Sequence, residues 1–227
     1  MLDWFQKRSN PFSEGAAPMV SVGQGGFLAG THAASNLGWR PVEALTVGDQ
    51  LLTFDHGMQP LVEVRRETVL VGEGDVDPVF CPLLVPQDAL NNRVPMYLMP
   101  DQGVLIESDL VEDAHGDPFA VVPACALDGY RGIRRLHPGE RMELIIPRFA
   151  RDEVIYVEAG FLGFAPMQGD LLNGAAAPEF YNVLSAAEAR DLVLAMAAAE
   201  QLGGFGAGPT IDPSGAPSDP SGAPSLI

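Results

Sequence analysis

Groups able to do chemistry are spread thinly along this chain, and few of them share a local pattern. Asp101, Glu107 and Asp109 offer carboxylates beside the apolar run Val104-Leu105-Ile106, with Glu107 and Asp109 expected on one strand face. Paired acids whose pKa values are split serve as acid and base in hydrolysis. An edge strand bearing solvated charges gives the same residues. Glu73-Gly74-Asp75-Val76-Asp77-Pro78 is an acidic loop with oxygen ligands for Ca²⁺, but its spacing follows no calcium loop and a solvated turn accounts for it. The histidines His32, His56, His115 and His137 all sit beside turn residues and read as exposed. With no His, Cys, Asp and Glu cluster at ligand spacing, neither a metal site nor a cofactor is expected.

Cys81 and Cys125 form no CxxC pair, so neither a zinc knuckle nor a disulfide framework is indicated. Both read as small buried hydrophobes. Gly23-Gln24-Gly25-Gly26 and Gly203-Gly204-Phe205-Gly206 are glycine-rich, yet neither joins a strand to a helix N-terminus with a following Lys, as a phosphate loop does.

Any such groups must be positioned by short, frequently interrupted strands. From Gly26 the chain reads as a strand, a tight turn at Gly30-Thr31, a turn at Asn36-Leu37-Gly38, a helical turn near Pro41 to Leu45, and a turn at Gly48-Asp49. Gly and Asn supply positive φ and Pro fixes its own. Strands punctuated this often predict a compact, strongly bent, mainly β domain. Gln50 to Phe54 and Pro60 to Val71 read as two strands joined at Asp55-His56-Gly57, and Val79 to Leu84 as a buried strand. Ser185-Ala186-Ala187-Glu188 is a capping box, and Leu192, Val193, Met196 and Ala199 make an apolar stripe, so a C-terminal amphipathic helix is expected over about 185–203.

The domain is therefore set at 21–204, with an N-terminal arm over 1–20 and a flexible tail over 205–227 rich in Pro, Ser and Gly. Trp4, Phe5 and Phe12 in the arm could dock on this domain or on another protein. Thirteen basic against thirty acidic residues give a formal charge of −17, which repels phosphate backbones and anionic lipid. Nucleic acid and membrane insertion are thus excluded as expectations. No apolar run reaches the roughly 18 to 20 residues of a membrane helix, and the N-terminus lacks a Sec signal, so a soluble chain is expected, cytoplasmic before any export or assembly.

Phe27, Gly30-Thr31, Trp39-Arg40-Pro41-Val42-Glu43, Leu45, Val47-Gly48-Asp49, Leu51-Leu52-Thr53 and Gln59-Pro60 occur in an order and spacing that resembles the opening of bacterial Hint domains, the fold shared by inteins and Hedgehog processing domains. Phe119 to Leu127 resembles a later strand and turn of the family, with Cys125 in a Lys place, and Glu143 to Glu158 resembles its final hairpin. The resemblance spans roughly Gly26 to Gly160. In the family a Cys or Ser attacks the carbonyl of the peptide bond before it, and a His hydrogen-bonds the scissile amide and protonates the departing nitrogen.

Matched residue by residue, the nucleophile position is Gly26 and the position of that His is Gln102, with Met99 in a Ser/Thr place. Two further family histidines fall on Ile146 and Asp152. Glutamine donates a hydrogen bond but delivers no proton near neutral pH. The resemblance thus implies a Hint fold without its catalytic set: not an enzyme, but a structural or protein-interaction module, with a protein partner or self-assembly through the terminal arms, in a larger extracellular or phage-like assembly. The alternative is autoprocessing with a displaced hydroxyl, for which Ser21 and Thr31 are the nearby residues.

Overall fold

The computed structural model describes residues 22–23, 25–70, 81–113, 115–136, 141–167 and 180–204. The arm over 1–20, Ser21, the acidic loop, His137 and the tail lie outside the described residues. Two antiparallel sheets make up the body. The first contains β1 (Phe27–Leu28), β6 (Glu63–Leu70), β7 (Leu83–Val85), β8 (Met96–Leu98), β11 (Arg134–Arg135) and β12 (Arg141–Arg148), in the order β11-β7-β8-β1-β12-β6. The second contains β2 (His32–Ser35), β3 (Gly38–Pro41), β4 (Gln50–Thr53), β5 (Gly57–Pro60), β9 (Gly103–Glu107), β10 (Phe119–Pro123), β13 (Glu153–Val157) and β14 (Phe161–Ala165). Its order is β10-β9-β14-β13-β2-β4-β5, with β3 paired to β2. One helix, α1 (Ala186–Gly204), closes the described chain.

The expected bend arises because the chain crosses between sheets instead of forming long hairpins. The first crossing follows β1 at once: Thr31 N–H donates to Leu28 C=O, and Gly30 takes φ +91°, a conformation that costs glycine nothing. The second corrects the reading of Pro60 to Val71 as one strand. β5 pairs with β4 in the second sheet and β6 with β12 in the first, and the chain changes sheets at Leu61-Val62. Leu61 is buried, its N–H bonded to Asp49 C=O, while the next N–H, of Val62, goes to Arg148 C=O. One peptide therefore serves each sheet. The expected final hairpin is corrected in the same way: β12 and β13 lie in different sheets, and β13 pairs with β14, β2 and β4.

Between the sheets lies a continuous apolar core that includes Phe27, Leu51, Leu83, Leu98, Val122, Ile145, Ile155, Val157 and Phe161. Full burial of side chains this size is worth about 1.5 to 3 kcal/mol each, which makes the core the main source of stability. Helix α1 joins it through Ala189, Leu192 and Val193, while Ala199, expected on the same stripe, is exposed. Ser185 and Glu188 make the capping box in both directions: Glu188 N–H donates to Ser185 Oγ, and Ser185 N–H to Glu188 Oε2. Arg190 donates to the carbonyls of Ala126 and Asp128, and Tyr130 donates its hydroxyl to Glu200, which also pairs with Arg131. Just before the helix, residues 182–184 lie along β10 and bond to both polar groups of Val121, covering a sheet edge that would otherwise pair with other chains. Among the described residues no helix is long and apolar enough to cross a membrane.

The turn that launches β4 depends on one carboxylate. Asp49 accepts from Thr46 N–H at 2.8 Å and Thr46 Oγ1 at 3.1 Å, and pairs with Arg40 at 2.8 Å. The Thr46 backbone bond first, and Arg40 with it, holds the Asp49 carboxyl below its ordinary value. A carboxylate depressed in the folded state stabilises above its unfolded pKa, about 4, and that contribution is lost as pH falls through the lower folded value. Asp49→Ala is expected to lower stability by about 1 kcal/mol at pH 7 and by less below pH 3. Urea denaturation at the two pH values checks this, and an equal loss at both would refute it.

Candidate functional site

The site forms where the incoming segment reaches β1, and its centre is the side chain of Gln102. This residue lies in the tight turn before β9 and is fully buried. Its Oε1 accepts from Gly26 N–H at 2.6 Å. Its Nε2 donates to Gly103 C=O and to Phe164 C=O, each at 2.8 Å. The amide orientation follows from those partners, since one backbone donor and two backbone acceptors allow only one placement of O and NH₂. A neutral histidine has one donor and one acceptor, so it would serve at most two of the three. Gln102 is thus suited to holding the Gly25–Gly26 peptide and unsuited to protonating it.

The place where a side chain on residue 26 would project is occupied. A Cβ built on Gly26 would stand 2.9 Å from Ile146 Cγ1 and 3.1 Å from Leu144 Cδ1. Gly26 also has φ +135°, which side-chain-bearing residues rarely adopt. Ile146 on β12 is fully buried and belongs to a small apolar cluster with Leu28, Met99, Leu144 and Met142. Of the positions singled out by resemblance, Gly26, Met99, Gln102 and Ile146 therefore meet in space. Asp152 does not. It sits in the link between β12 and β13, where its Oδ1 accepts from Met167 N–H.

Asp101 is the site residue whose role was misread from sequence. It is 4% exposed, and Gly23 N–H donates to its carbonyl at 2.9 Å, so it faces the incoming segment and not a substrate cleft shared with other acids. Glu107 ends β9, and Asp109 lies in the turn beyond it. The strand β9 by itself puts about 13 Å between Gly103 and Glu107, and Asp101 is buried in the turn before it while Glu107 is exposed at its far end. The proposed carboxylate set does not converge. Cys125 is half-buried, and desolvation pushes its thiol up to about 11, which leaves almost no thiolate at neutral pH. Cys81 is buried.

His115 is exposed in a turn, whereas His32 and His56 are partly buried against carboxylates. His32 lies in β2, and its N–H and Nδ1 both reach Glu158 Oε1, at 2.6 and 3.3 Å. His56 Nδ1 stands 3.0 Å from Oε2 of Glu153, a carboxylate with no exposed surface. Beside it the hydroxyl of Tyr181 donates to Asp55, and burial first, with that bond second, raises the Tyr181 phenol well above its usual range. Phe180 lies against the rings of both His56 and His115. These contacts tie the approach to α1 onto the β4–β5 turn. No periodicity signalled them, because the partners come from segments about a hundred residues apart. Among the described residues no group of three or more His, Cys, Asp or Glu is placed to hold a metal.

A family model described as Hint domain matches residues 25–161. The solution structure of a bacterial intein-like domain from Clostridium thermocellum is 10% identical, with a TM-score of 0.41 over 62% of this chain and 98% of that one. The AceL NrdHF class 3 split intein, solved as a splice-inactive variant, is 14% identical, with a TM-score of 0.34 over 63% of this chain and 99% of that one. No curated protein sequence matches. The family match overturns the expectation that the chain is not an enzyme. The family is one of self-processing domains, so membership points towards autoprocessing, and a missing side chain at Gly26 removes one nucleophile without showing the chain to be inert.

Three substitutions test the site's construction. Gly26→Ala is expected to cost about 1 to 3 kcal/mol through the positive φ and the Ile146 contact. Gln102→Ala strands three buried backbone groups and should cost about 2 to 4 kcal/mol, with Gln102→His falling between it and the unaltered chain. Urea midpoints measure all three. Equal stability of the His and Gln forms would show that the three-partner arrangement is not what matters.

Proposed function

Since the chain belongs to the Hint domain family, we propose that it uses the family's self-processing cleft to hold a polypeptide, and so serves as an interaction module that presents its N-terminal arm to a protein partner or to a second copy within a larger assembly. The observation that carries this reading is the full use of Gln102. A side chain that satisfies one N–H and two carbonyls of the incoming segment and its walls fixes a backbone, and burial strengthens each bond. Ile146 supports it further by filling the volume beside Gly26 with hydrocarbon. The degenerate positions Gly26, Gln102 and Ile146 are on this reading a holding site, with Asp152 outside it.

A second reading keeps the family's chemistry, with a hydroxyl displaced from residue 26 as nucleophile. Family membership favours it. Thr31 is the nearby hydroxyl among the described residues and is 6% exposed, beyond the turn that follows β1. A hydroxyl becomes a useful nucleophile only with a base in reach.

Intact mass of the purified chain over several days, with and without an added thiol, separates the two. Holding predicts one species at 24.1 kDa under both conditions. Fragments ending between Ser21 and Thr31, more abundant with thiol, would establish self-cleavage in its place. Light scattering on the same sample tests assembly: a mass of two or more copies supports association through the arms, and a single-copy mass leaves only a foreign partner.

A further inference from the structure

The holding site also reads which residues it holds. Each described glycine of the incoming segment meets a wall where a side chain would begin. A Cβ on Gly23 would lie 2.1 Å from Asp101 Oδ2, 2.9 Å from its Cγ and 3.0 Å from its Cβ. One on Gly25 would lie 3.2 Å from Phe164 C=O and 3.4 Å from Gln102 Oε1, at φ +68°. One on Gly26 would strike Ile146 at 2.9 Å, at φ +135°. Meanwhile Gly23 N–H bonds to Asp101 C=O and Gly26 N–H to Gln102 Oε1, so the backbone supplies the attraction.

Backbone bonds give affinity without regard to sequence, whereas steric walls give selectivity by exclusion. The Asp101 wall is stiff. Rotating its carboxylate moves Oδ2 but not Cβ, and a side chain 4% exposed has little room to turn. Phe164 presents a backbone carbonyl, which cannot rotate away. Ile146 is fully buried.

We propose that the cleft is a peptide slot selective for the motif Gly-x-Gly-Gly, filled here by the chain's own Gly23, Gly25 and Gly26. This rests on the holding reading above and adds the class of sequence held. A peptide carrying the same motif enters the slot when the chain's own copy is displaced, and a peptide with alanine at the first glycine does not.

Amide hydrogen exchange on the full-length chain tests it. In the unaltered chain the Gly26 amide is protected, and loss of that protection would sink the holding reading itself. Gly23→Ala is expected to lower Gly26 protection by about tenfold or more while amides in β12 and β13 keep theirs. Adding Asp101→Gly to that variant removes the wall, Cβ included, and restores protection, which also provides a readout if Gly23→Ala alone fails to fold. The synthetic peptide Val-Gly-Gln-Gly-Gly-Phe should then shift the Gln102 side-chain amide signals in the Gly23→Ala chain, and Val-Ala-Gln-Gly-Gly-Phe should not. Full Gly26 protection in Gly23→Ala, a double variant that stays unprotected or unfolded, or equal binding of the two peptides overturns the selectivity and leaves the holding intact.

Discussion

A buried backbone N–H or C=O must have a partner, and the arrangement around Gln102 follows from that requirement. The incoming segment reaches β1 at a place closed to water, where the polar groups of Gly26, Gly103 and Phe164 have to be matched. One primary amide matches all three at once, with its own polar atoms consumed. That leaves the side chain no spare proton traffic and little freedom to move. The same need for satisfaction governs the sheet crossings, where Leu61 and Val62 direct consecutive N–H groups to different sheets.

The site and the fold are thereby joined. β1 is only two residues long, yet it lies between β8 and β12 in the first sheet, and Phe27 reaches the core shared with the second. Gln102 stands at the start of β9 in that second sheet and grips the residue just before β1. Ile146, from β12, packs on the other side of the same glycine. Three strands from two sheets thus converge on one peptide, and disturbing it loosens the seam between the layers.

Two histidine–carboxylate contacts tie β13 to its neighbours within the second sheet. Glu153 opens the strand and meets His56 from the β4–β5 turn; Glu158 follows its end and meets His32 of β2. The first involves a carboxylate with no exposed surface, so it matters more than the second, whose histidine is about half exposed.

Much of this was legible in the chain. Turn residues placed the bends, the Ser185-to-Glu188 pattern placed the helix start, and the order of motif residues identified the family, because each of these is written in a few neighbouring positions. The choice of sheet for each strand was not legible: Pro60 to Val71 reads as one strand, and only the pairing partners β4 and β12, far off in sequence, divide it. Nor could sequence show that Ile146 occupies the volume beside Gly26, or that Asp101 walls off Gly23, since these contacts join segments tens to over a hundred residues apart. The sequence by itself determined which side chains were present at the motif positions and hence which chemistry residue 26 lacks. Only the tertiary structure decided what those side chains do instead, because hydrogen-bond satisfaction and steric exclusion depend on distances that chain order does not contain.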